Sequence, residues 1–141
     1  MKPKTVILID DDQDDLDVMK DAVSQVDSTI LCHTFVYAEE ALRLLTNELS
    51  TIPDYIFIDI NMPRITGDVC LQKIRSIKEL EYVPITIYST SLSENKAANL
   101  LALGATFTFE KPYSLSGYVR LLEQILPGDT LPYRHLKPNT L

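Results

Sequence analysis

Residues 55–59, Tyr55-Ile56-Phe57-Ile58-Asp59, carry four consecutive apolar side chains and then a carboxylate. A half-exposed strand alternates apolar and polar residues, whereas a strand covered on both faces reads as an unbroken apolar run. Val6-Ile7-Leu8-Ile9 has the same form and runs into Asp10-Asp11. Both runs are short and bounded by polar or turn residues, which marks them as central strands of a parallel sheet.

Outward from these two runs, strand-like segments cover Thr5 to Ile9, Ile30 to Val36, Tyr55 to Ile58, Ile85 to Ser89 and Thr106 to Phe109. Leu16 to Val26, Ala38 to Leu49, Val69 to Ile77, Asn95 to Leu103 and Leu115 to Leu126 place apolar residues at helical spacing, such as Val119, Leu122 and Ile125. Five β-α units with short connections imply a sheet with helices on both faces. The expected architecture is α/β, a doubly wound five-stranded parallel sheet of order 2-1-3-4-5, flavodoxin-like, with ligands bound at the carboxyl ends of strands one and three. Thr106-Phe107-Thr108-Phe109 alternates and is expected at the sheet edge. Residues 1–126 form the expected domain. Residues 127–141, with Pro127, Gly128, Pro132 and Pro138, read as a C-terminal tail too short for an output domain.

Composition limits the function. The 141 residues are 45% hydrophobic, enough for one core without disulfides or a structural metal. A net charge of −7 disfavours nucleic acid and anionic membrane surfaces as direct partners. Cys32 and Cys70 are isolated and read as core thiols. The apolar run after Met1-Lys2-Pro3-Lys4 meets Asp10 too early for a signal peptide or a membrane span, so a cytoplasmic location is expected.

The strand ends carry the chemistry. Asp10-Asp11, Asp59, Ser89 and Lys111 all fall at the carboxyl ends of strands and would converge on one edge of a parallel sheet. Crowded carboxylates call for a cation, and hard oxygen ligands with room for water suit Mg²⁺. A carboxylate beside Mg²⁺ and an ammonium is equipped to attack a phosphoryl group, and a nearby hydroxyl to donate to its oxygens. Plainer readings stand beside these. Asp12, Asp14, Asp15 and Asp17 are read as caps and solvated residues of the first helix, and Thr66 as a candidate N-cap. His33 and His135 lack a ligand set and are assigned core or surface roles, and Thr108, Phe107 and Phe109 edge-strand packing.

Residues 4 to 126 resemble the receiver domains of two-component response regulators in their single-domain, chemotaxis-like form. The resemblance rests on Ile9-Asp10-Asp11, Asp59-Ile60-Asn61-Met62-Pro63 with Gly67 opening the next helix, Ser89, and Lys111-Pro112. It implies phosphotransfer to Asp59 from a phosphohistidine on a sensor histidine kinase or phosphotransfer protein. It implies Mg²⁺ held by Asp10, Asp11, Asp59 and the main-chain carbonyl of Asn61, with Lys111 on the phosphoryl group and Ser89 as the switch hydroxyl. It also implies a cis peptide before Pro112, which would aim Lys111 into the pocket. Signalling would pass to a downstream protein through a surface change around helix four, strand five and helix five, where Leu100, Tyr118 and Leu121 are candidates, although apolar residues on such helices are more often core. Chemistry would be limited to Mg²⁺-dependent self-phosphorylation and autodephosphorylation, without enzymatic turnover. The family's second switch residue is usually aromatic, three positions before the lysine; here that position is Thr108.

Two other functions remain open from the sequence. One is a receiver-like interaction module that needs no phosphate, a reading that Thr108 keeps in play. The other is an aspartate-based phosphatase, since Asp10-x-Asp12 after a first strand imitates the nucleophile motif of haloacid-dehalogenase-type hydrolases.

Overall fold

The computed structural model describes residues 3–47 and 52–138. In chain order they form β1 (Thr5–Ile9), α1 (Gln13–Val26), β2 (Leu31–Phe35), α2 (Ala38–Asn47), β3 (Tyr55–Asp59), α3 (Gly67–Arg75), a 3₁₀ turn (Lys78–Leu80), β4 (Ile85–Ser89), α4 (Glu94–Ala102), β5 (Phe107–Glu110), α5 (Leu115–Ile125) and β6 (Arg134–Leu136). The expected end of the second helix at Leu49 lies outside the described residues.

All strand pairs are parallel, in the order β2-β1-β3-β4-β5-β6. The order of the first five is the one expected, and every residue of β3 and β4 is buried. Successive strand side chains point to opposite faces, and each face has its own core. Ile7, Ile9, Ile56, Ile58, Ile85 and Ile87 pack under α2, α3 and α4. Val6, Leu8, Phe57, Tyr88, Phe107 and Phe109 pack under α1 and α5. Leu100, Tyr118 and Leu121 belong to these cores.

Among the described residues the sheet has six strands instead of five, and the sixth comes from the segment read as a tail. Arg134, His135 and Leu136 pair with Phe107, Thr108 and Phe109, so β5 is not an edge. The alternation has another cause: Thr106, just ahead of β5, and Thr108 within it are satisfied inside the protein. Thr106 Oγ1 accepts from Arg75 Nη2 at 3.2 Å and from the Ile85 amide at 3.1 Å, and Thr108 Oγ1 is hydrogen-bonded to His135 Nδ1 at 2.8 Å. Leu136 enters the α1/α5 core, and Gln124 Nε2 donates to the Lys137 carbonyl at 2.9 Å. Three residues with one apolar side chain leave no strand signature in sequence.

Candidate phosphoacceptor site

β1 lies between β2 and β3, so the winding of the sheet reverses between β1 and β3. Loops from the two strands diverge there and leave a crevice at their carboxyl ends. Three carboxylates line it: Asp10, fully buried just beyond β1; Asp11, exposed; and Asp59, the last residue of β3 and 4% exposed. One oxygen from each lies within 4.8 Å of the others, a set able to hold a metal ion.

Backbone packing fixes Asp59 in place. The Gly67 amide donates to the Ile60 carbonyl at 2.9 Å, which brings the start of α3 down on the end of β3. A Cβ on Gly67 would lie 2.6 Å from both the Asp59 carbonyl oxygen and the Ile60 Cα, so only glycine permits this approach. The Asn61 amide reaches Asp59 Oδ1 at 3.4 Å, and Asn61 Nδ2 donates to Ser89 Oγ at 3.1 Å. Ser89 is fully buried at the end of β4, where its hydroxyl also accepts from the Ser91 amide at 3.4 Å.

Asp10 is held on both oxygens. The Asp12 amide donates to Oδ1 at 2.9 Å, and the Tyr88 hydroxyl donates to Oδ2 at 2.9 Å. Lys111, 8% exposed, brings its ammonium to 2.6 Å from Asp15 Oδ2, 3.2 Å from Asp10 Oδ2 and 3.6 Å from Asp59 Oδ1, and above the Tyr88 ring at 5.2 Å from its centroid. No cis peptide occurs among the described residues, so the cis bond expected before Pro112 is not found; the trans form is the lower in energy even before proline.

The electrostatics follow from this crowding. Burial, and then the neighbouring Asp10 charge, push Asp59 up to about 7, against the opposing pull of Lys111 and the Asn61 amide. Burial also raises Asp10, with the Asp12 amide, Lys111 and Tyr88 opposing. For Lys111, burial favours the neutral amine, yet the Asp15 hydrogen bond and the charges of Asp10, Asp59 and Asp15 together raise its pKa. The site carries more negative charge than one ammonium neutralises, and its donors are hard oxygens, which fits a divalent cation.

A family model of the response regulator receiver domain matches residues 6–123. The chain belongs to this family. The probable C4-dicarboxylate response regulator DctR of Bacillus subtilis is 32% identical over 138 residues, which cover 93% of this chain and 59% of that protein. The receiver chain therefore spans about three fifths of that relative's length. Among solved structures, the phosphorylated cyanobacterial phytochrome response regulator RcpA superposes with a TM-score of 0.77 at 24% identity, covering 87% of this chain and 91% of that one. The Mn²⁺-bound response regulator Rcp1 gives 0.76 at 23% identity over 92% and 99%. Both likenesses show the fold.

The structure brings together every candidate named from the strand ends, Asp10, Asp11, Asp59, Ser89 and Lys111, and adds Asn61 through Ser89. Thr108 lies apart, buried between β4 and β6 in register with Ile87 and His135. Three residues of consequence were missed. Tyr88 is in register with Asp59 but on the opposite sheet face from Ser89, and its hydroxyl reaches Asp10. Asp15 is not a solvated helix residue but the nearest partner of Lys111. It precedes the buried Met19 and Ala22 by four and seven positions, so it continues the core-facing stripe of α1. That signal is lost when the helix is started at Leu16 instead of Gln13. His135 had no sequence signal beyond its own identity.

Proposed function

We propose that this receiver is a phosphorylation-controlled signalling switch in a two-component system, with Asp59 as phosphoacceptor and a histidine kinase or histidine phosphotransfer protein as donor. The supporting observation is the placement of Asp59: a nearly buried carboxylate at the end of a central strand, grouped with Asp10 and Asp11 and 3.6 Å from the Lys111 ammonium. One Asp59 oxygen attacks the phosphorus of a phosphohistidine, and the P–N bond breaks with its electron pair returning to the imidazole. Lys111 balances charge gathering on the phosphoryl oxygens, and the Ser89 hydroxyl turns from Asn61 to donate to one of them.

Asp10, Asp11, Asp59 and the Asn61 carbonyl would hold Mg²⁺. When bound, the ion supplies the positive charge that lets Asp59 ionise and a phosphoryl group approach it. The Mn²⁺-bound form of Rcp1 supports a hard-cation site in this fold.

The signal leaves through β4 and β5. Ser89 ends β4, whose register partner Glu110 ends β5 and accepts from the Leu92 amide at 3.3 Å ahead of α4. Thr108 has no ring to swing, but its hydroxyl ties β5 to His135 of β6. The surface that changes on phosphorylation thus includes β6 with α4, β5 and α5, and the downstream partner is a protein that distinguishes the two states. Incubation with a small acyl phosphate and Mg²⁺ is expected to add one phosphoryl group to the chain and none to Asp59→Asn. Stoichiometric labelling of that variant would sink the assignment.

A further inference from the structure

We infer that Asp15 is a positioning residue whose carboxylate holds the Lys111 ammonium away from Asp59 and so keeps the acceptor open to its cation. The inference rests on the reading of Asp59 given above and deepens it.

The distances carry it. An N–H···O hydrogen bond spans about 2.7 to 3.2 Å. Lys111 Nζ meets that range with Asp10 Oδ2 at 3.2 Å, stands closer still to Asp15 Oδ2 at 2.6 Å, and falls outside it with Asp59 Oδ1 at 3.6 Å. The Asp10 oxygen is shared with the Tyr88 hydroxyl, so Asp15 is the partner Lys111 has to itself within the pocket. Asp15 also stands outside the group formed by Asp10, Asp11 and Asp59. A cation drawn to that group competes for the oxygens of Asp10 and Asp59 but leaves the Asp15 pair intact.

Without Asp15, the ammonium would have one shared hydrogen-bond acceptor, and the next carboxylate within reach would be Asp59, 3.6 Å away. Lysine's flexible stem lets it close the remaining gap. A closed Lys111–Asp59 pair would place a protein cation where the metal is needed and would tie up the attacking oxygen. Helix capping does not account for Asp15, because Asp12 Oδ1 already accepts from the Asp14 amide at 2.9 Å.

The test is Mg²⁺ titration of the full chain without a phosphodonor, followed by the backbone amide shifts of Asp11 and Asn61, in four proteins and one control. Asp15→Asn is expected to weaken Mg²⁺ binding about tenfold, since an ammonium released onto Asp59 must be displaced. In a Lys111→Met background the same substitution is expected to cost about twofold or less, the residual field of one distant screened charge. Asp14→Asn, which removes an equal charge from the same helical turn, is expected to cost no more than that. Equal losses from Asp15→Asn with and without Lys111, or an equal loss from Asp14→Asn, would reduce Asp15 to a contributor of bulk negative potential and overturn the assignment. An undiminished affinity in Asp15→Asn would overturn it as well. A wild-type chain whose Asp11 and Asn61 amides ignore Mg²⁺ would contradict the metal reading itself and both proposals with it, whereas a binding wild type without coupling rejects Asp15 alone.

Discussion

Removing the charge of Asp59 should stabilise the metal-free protein, and increasingly so as the pH rises. The Asp59 carboxyl is moved from 3.8 to about 7 by burial and by the Asp10 charge. Between those values the folded protein holds a proton that the unfolded chain has released, so folding stability falls as the pH rises through the window. Each unit corresponds to about 1.4 kcal/mol, and the full displacement to roughly 4 kcal/mol above about pH 7. Asparagine keeps the shape and has no proton to lose. Urea unfolding in the presence of a chelator should therefore show Asp59→Asn ahead of wild type by about 1 kcal/mol at about pH 4.5 and by roughly 4 kcal/mol at about pH 8. Excess Mg²⁺ should narrow the gap at the higher pH by stabilising wild type more than the variant. A gap that stays constant between the two pH values, or an asparagine variant less stable than wild type at the higher one, would refute the view that crowding with Asp10 strains this site.

Gly67→Ala should cost about 3 kcal/mol or more and disturb the Asp59 loop, because its Cβ would meet backbone atoms at 2.6 Å that cannot rotate away; unfolding curves and the Asn61 amide shift report both effects. Tyr88→Phe removes the donor to the fully buried Asp10 Oδ2 and should destabilise by about 1 to 3 kcal/mol, with a larger loss above the Asp10 titration than below it. Leu136→Ala should lose about 2 to 4 kcal/mol and raise amide exchange across residues 134–136, since this side chain is the apolar anchor of β6. Unchanged exchange there would mean that β6 is held by its backbone pairing alone.

How much of this was legible depended on whether a residue's role lay in its own strand or in another. β1 and β3 were readable because burial on both faces leaves an unbroken apolar run, and Asp10 and Asp59 because each ends such a run. The meeting of Lys111 with Asp59 followed from parallel topology alone. Asp15 was hidden because a helix started at Leu16, three residues late, leaves it outside α1, and Tyr88 because its partner Asp10 lies just beyond another strand, which no pattern within β4 can show. β6 was hidden for a different reason. Arg134, His135 and Leu136 form a strand because β5 offers them unpaired backbone groups and a threonine hydroxyl, and not because of any pattern of their own. The same pairing gives Thr108 an internal partner, while Arg75 and the Ile85 amide do so for Thr106, so the alternation marks internal hydrogen bonds and not solvent.

The most direct measurement is to locate the phosphoryl group. The chain, exposed to Mg²⁺ and a small acyl phosphate, would be trapped by borohydride reduction, digested and sequenced by mass spectrometry. The expected result is homoserine, left when hydride reduces the acyl phosphate and expels its phosphate, at position 59 and at none of Asp10, Asp11, Asp12, Asp14, Asp15 or Asp17. Phosphoryl on Asp10, the position that a phosphatase-type nucleophile would occupy, or a chain that takes up none while its Asp11 and Asn61 amides still respond to Mg²⁺, would contradict it.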